Sequence, residues 1–135
     1  MIKVCYIKSQ VTTGVEYHRI EIPFNHLNQH YKGLDIKGCD GFNLDFMPDQ
    51  FDVIVLNRVR KQPKNYIKLA KERGVKIVLD LDDWIEWPEW HLNRDGFDTP
   101  IIEAEIKNMI ELADVIWCGS EYLMNSLKNE KAIYI

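Results

Sequence analysis

VKIVLDLDDW, residues 75–84, is a run of buried-type aliphatics that ends in three carboxylates, Asp80, Asp82 and Asp83. Val75, Ile77, Val78, Leu79 and Leu81 are nearly continuous rather than alternating, which is how a central parallel strand with both faces covered reads. In open α/β sheets, ligands bind just past the carboxyl ends of such strands. One acid there can cap a helix or turn. Three repel one another, and a purely structural strand end has no use for them. The group suits a site that handles protons, a cation or polar hydroxyls.

The same pattern recurs on both sides of this stretch. Ile2 to Ile7 predicts a first strand, broken by the polar loop Ser9 to Gly14. Tyr17, Ile20, Phe24 and Leu27 then follow at helical spacing, and Pro23 predicts that the helix either kinks there or starts there. Tyr31 to Pro48 reads weakly, with one short strand expected at Leu34 to Lys37 or at Phe42 to Phe46. FDVIVLNRV, residues 51–59, predicts a second buried strand. A helix from Pro63 to Arg73 follows, with Lys71 and Arg73 suited to its negative end and Gly74 just past it. Thr99-Pro100 reads as cap and first turn of a helix from Ile101 to Ala113. Asp114 to Cys118 predicts a strand, Glu121 to Asn129 a helix, and Ala132 to Ile135 a last strand. Strands alternating with helices give a single α/β domain, a Rossmann-like parallel sheet with helices on both faces.

Composition narrows the function classes. A chain of 135 residues with 46% hydrophobic and 28% charged residues is one ordinary globular domain. A net charge of -4 argues against nucleic acid as a partner. The basic cluster Arg58, Arg60, Lys61 and Lys64 suits solvent or one anionic ligand. Cys5, Cys39 and Cys118 form no CxxC pair, and Cys5 and Cys118 lie in apolar runs where a thiol is a small hydrophobe. An odd count with no secretory leader and no membrane span predicts a cytoplasmic location, at most at the inner face of a membrane.

GVEYHR at 14–19, FDVIVLNRV, GVKIVLDLDDW and ELADVIWCGSEYLMNSL at 111–127 occur in an order that resembles the amino-terminal half of GT-B glycosyltransferases, most nearly family 4. The specificity lies in the order and spacing of the four motifs. The resemblance implies transfer of a sugar from a nucleotide-sugar donor to a sugar, glycan or lipid-linked acceptor. It implies that residues 1–135 are the acceptor-side domain, with a carboxyl-terminal donor domain outside this chain. It implies no cofactor and no tight divalent site, because protein groups meet the leaving-group charge in such enzymes.

The family's glycine-containing turn is similar to Thr12-Thr13-Gly14, which places Thr13 and Gly14 near an anionic group such as the donor diphosphate. Its strand-end His-Asp pair stands here as Asp82-Asp83. The histidine is replaced, and the carboxylates become the candidate catalytic groups, with Asp83 the stronger. A carboxylate there can bind an acceptor hydroxyl and take its proton. Ser120 matches the family's strand-end serine and doubles as a helix cap. Arg19 and Arg58 are candidates for anionic groups and Asp80 for substrate. Trp87 and Trp90 are candidates for stacking on sugar rings, with Trp84 assigned to packing.

Two other classes fit some of the same residues. Strand then Asp80-x-Asp82 resembles the first motif of haloacid-dehalogenase-type phosphatases, with Asp80 as nucleophile, Asp82 as acid-base and Mg²⁺ between carboxylate and phosphate. Trp84 falls where that family has a small hydroxyl residue. A binding domain without chemistry is the third class.

Overall fold

The aliphatic runs assemble into one parallel sheet. The computed structural model describes residues 1–8, 14–40, 50–57, 64–82 and 99–135, without the side chains of 15, 40, 64 and 99–102. Its strands are β1 (Ile2–Lys8), β2 (Leu34–Asp40), β3 (Val53–Asn57), β4 (Lys76–Leu81), β5 (Val115–Cys118) and β6 (Ala132–Tyr134). They lie in the order β2-β1-β3-β4-β5-β6, and every neighbouring pair is parallel. The predicted α/β class holds. The strand order reverses between β1 and β3, the position where such sheets open a crevice for ligands.

Both faces of the central strands are covered, which explains why their sequences do not alternate. Ile54, Leu56, Ile77 and Leu79 pack on Ile67 and Ala70 of α3 (Lys64–Glu72), Met109 of α4 (Thr99–Leu112) and Leu123 of α5 (Glu121–Leu127). Val4, Tyr6, Val55 and Val78 on the opposite face pack on Ile20 and Phe24. Phe24 also meets the rings of Tyr6 and Trp117 edge-on, at 5.6 and 6.2 Å between centroids. Cys5 and Cys118 are buried in the first cluster, as apolar thiols.

Ile20 and Phe24 belong to one continuous helical run in three segments, α1 (Gly14–Glu16), a π-helical segment (Tyr17–Glu21) and α2 (Ile22–His30). Pro23 does not start the run as a whole but sits in the first turn of its last segment, α2. A proline at 23 has no N–H for the Arg19 carbonyl and its ring crowds that oxygen. The turn widens just upstream instead, and Ile22 N–H donates to Tyr17 O, five residues back. The extra residue rotates the preceding positions out of the expected register. Tyr17, expected inside, is 47% exposed, and Glu16 is buried at 1%.

Other boundaries follow local chemistry. β2 runs from Leu34 to Asp40, so the first of the two expected placements holds, and 42–46 lies outside the described residues. Gly38 within it makes room for the ends of the Lys8 and Tyr6 side chains, since a Cβ would stand 2.7 Å from the Tyr6 hydroxyl oxygen. α3 ends in a glycine turn. Gly74 has φ +83°, its N–H donates to Lys71 O, and Val75 N–H donates to Ala70 O. Lys71 stands in the last turn of α3, and its Nζ also donates to Leu112 O at the end of α4. Among the described residues, no helix is long and apolar enough to cross a membrane.

Candidate functional site

Parallel strands bring their carboxyl ends to one edge, and the polar strand tips meet there. Asn57 ends β3 and pairs in register with Asp80 of β4, which pairs in turn with Trp117 of β5. Two residues beyond Val55 and Val78, Asn57 and Asp80 continue the sheet face that the Gly14–His30 run covers. Gly14 opens that run after β1, and the helix returns to the amino edge, where Ile2 N–H donates to Gly33 O. Gly14 and Asp82 therefore share the carboxyl edge.

Arg19, carried by the π-helical segment, is what the run delivers to this edge. Its Nε lies 3.2 and 3.1 Å from the two Asp80 oxygens, and its Nη2 also donates to Oδ1. Asn57 Nδ2 donates to Asp80 Oδ2. Asp80 is 0% exposed, while the Arg19 side chain keeps 23% of its surface in solvent. A buried carboxylate persists only when paired and hydrogen-bonded, and this one is both. The hydrogen bond to Asp80 raises the Arg19 pKa further, burial opposes it, and the charges of Asp80 and Asp82 add to the rise.

Gly119 completes the arrangement. A Cβ there would stand 2.9 Å from Arg19 Nη1 and 3.3 Å from the Asp82 Cα. The missing side chain thus leaves room for the guanidinium beside the half-buried Asp82. The Gly119 N–H donates to Leu81 O at 2.9 Å and ties the β4 and β5 tips together. Burial pushes the Cys118 thiol up, and neighbouring Asp80 adds to this against Arg19, so it has no tendency to form a nucleophilic thiolate. At the tip of β1, Lys8 Nζ pairs with Glu21 at 3.2 Å.

The sequence-predicted residues divide accordingly. Arg19, Asp80 and Asp82 come together. Asp80 faces inward with its oxygens engaged, so its contribution is to hold Arg19, while Arg19 Nη1 and Asp82 border the edge. Ser120 Oγ accepts from Leu123 N–H at 3.1 Å and caps α5. At Gly14 a Cβ would meet nothing within 4 Å. Thr13, Arg58, Asp83, Trp87 and Trp90 lie outside the described residues.

Two buried polar residues were not foreseen. Asn57 was legible as the polar tip of an aliphatic strand, in the same position as Asp80. Glu16 was not, because the π-helical segment that turns it inward leaves no periodic trace. No protein-family model matches the chain and no curated protein matches its sequence, so this edge is read from its own geometry and chemistry.

Proposed function

We propose that the chain is the acceptor-side domain of a nucleotide-sugar-dependent glycosyltransferase, with the carboxyl edge as the acceptor face. The observation that carries the proposal is the Arg19–Asp80–Asn57 network, a fixed cation within the electrostatic reach of Asp82 at the carboxyl edge of a parallel sheet, where such sheets bind ligands. Glycosyl transfer to a hydroxyl asks for two things there. A carboxylate must hold the hydroxyl and take its proton, and a positive group must meet the negative charge of a donor phosphate. Asp82 and Asp83 supply the first, and Arg19 Nη1 the second. Binding energy from Trp87 and Trp90 on the sugar faces would orient the acceptor.

The phosphatase alternative makes Asp80 the nucleophile. Attack on phosphorus needs an accessible oxygen, and Asp80 is fully buried with Arg19 and Asn57 on its two oxygens. That arrangement speaks against the phosphatase reading. The test is release of nucleoside diphosphate from a panel of sugar nucleotides by the full-length enzyme that the proposal requires, alongside Mg²⁺-dependent phosphate release from p-nitrophenyl phosphate. Sugar-dependent diphosphate release is expected. Phosphate release abolished by Asp80→Asn would overturn the proposal.

A further inference from the structure

We propose that His26 and His30, on the exposed side of α2, form a two-imidazole chelate for a divalent d-block ion, with Ni²⁺ and Cu²⁺ favoured over Zn²⁺. The inference stands apart from the glycosyl-transfer reading. Residues four apart on a helix leave the same face one turn above each other. The two rings lie 4.3 Å apart between centroids, with their planes tilted by 44°.

That spacing has a chemical meaning. A metal–imidazole bond is about 2.0–2.1 Å, and the ring centre lies roughly 1.1 Å beyond the ligating nitrogen. Two imidazoles on one ion therefore have centroids about 4.5 Å apart at a right angle and about 5.1 Å apart at a tetrahedral angle. The observed spacing is within a few tenths of an ångström of the right-angle value. Right-angle nitrogen pairs suit tetragonal Cu²⁺ and Ni²⁺, and imidazole is a preferred donor for both.

The surroundings define what kind of site this is. Both histidines are exposed, so an ion reaches them without disturbing the core. Among the described residues, no group of three His, Cys, Asp or Glu side chains is placed to hold an ion. With water in the remaining positions of a bound ion, the site would be open and exchangeable. A bound ion would bridge the last turn of the helical run whose upstream segment carries Arg19. Because it binds the helical state, it stabilises the fold by mass action.

The experiment is calorimetric titration of the untagged protein with Ni²⁺ and separately with Zn²⁺, at a pH where imidazole is neutral. Ni²⁺ avoids the oxidation of thiols that Cu²⁺ would cause. One Ni²⁺ per chain is expected, bound more tightly than Zn²⁺. His26→Ala and His30→Ala should each weaken Ni²⁺ binding by about tenfold or more, as loss of one arm of a chelate requires. His18→Ala should change nothing, since its ring lies against Tyr17 rather than a second histidine. Ni²⁺ should also raise the melting temperature of the wild type but not of His26→Ala, and circular dichroism of both variants checks the fold. Unchanged Ni²⁺ affinity in the His26→Ala/His30→Ala protein, tighter Zn²⁺ than Ni²⁺, or no binding at millimolar Ni²⁺ would overturn the proposal.

Discussion

Asp80 carries its charge where water does not reach, and two neighbours make that possible. Arg19 matches the carboxylate with its guanidinium fork, and Asn57 adds a second donor to Oδ2. Pairs of this kind are weak sources of net stability but costly to break on one side only. Arg19→Met is expected to destabilise the protein by about 3 kcal/mol in urea unfolding, because it strands a buried charge. Arg19→Met with Asp80→Leu should recover most of that loss, and strictly additive losses would contradict the buried-pair account. Asp114 is the second carboxylate with a defined role. Burial pushes its pKa up, but the Ile77 N–H at 2.8 Å and the charges of Lys71 and Lys76 outweigh that and hold it below its ordinary 3.8. The folded state therefore holds fewer protons on Asp114 than the unfolded state does. Its contribution is present at neutral pH and is lost as pH falls through about 4 and below. Asp114→Asn is expected to cost about 1 kcal/mol at pH 7 and to flatten the acid limb of a stability–pH profile.

At the scale of elements, two glycines that look alike in sequence have different physics. Gly74 sits at φ +83° in the turn that ends α3, and nothing lies within 4 Å of its missing Cβ. Gly74→Ala should cost about 1–2 kcal/mol through the backbone alone. Gly14 has equal space and no such backbone demand. Gly14→Ala should leave the melting temperature nearly unchanged, and any fall in transfer activity would then report ligand approach. A destabilisation equal to that of Gly74→Ala would show that the fold itself needs Gly14. The strands, α3 with its glycine turn, and the Ser120 cap were legible because each depends on a few adjacent residues. The π-helical segment was not. It is a compromise between Pro23 and the packing of Ile20 and Phe24, and it surfaces only in three dimensions, where it buries Glu16 and aims Arg19.

For the whole molecule, topology was the most legible property and the site only partly so. Aliphatic runs such as 53–56 and 77–79, short and bounded by polar residues, suit a doubly covered parallel sheet. Asp80 and Asp82 lie at the carboxyl end of β4, yet sequence made the acids one repelling group. The fold separates their roles by bringing Arg19 from 61 positions away onto Asp80, a long-range pairing that no local pattern announces. What remains at the edge among the described residues is Asp82. The measurement that bears most directly on the functional account is single-turnover sugar transfer by the two-domain protein that the proposal requires, with Asp83→Asn and Asp82→Asn compared against thermal melts of the same proteins. If these carboxylates take the proton of the acceptor hydroxyl, transfer should fall by about 10²–10⁴ in Asp83→Asn while donor affinity and melting temperature stay near the wild type. A variant that melts several degrees early yet transfers sugar at the wild-type rate would make the acidic strand tip a structural cap and contradict the account.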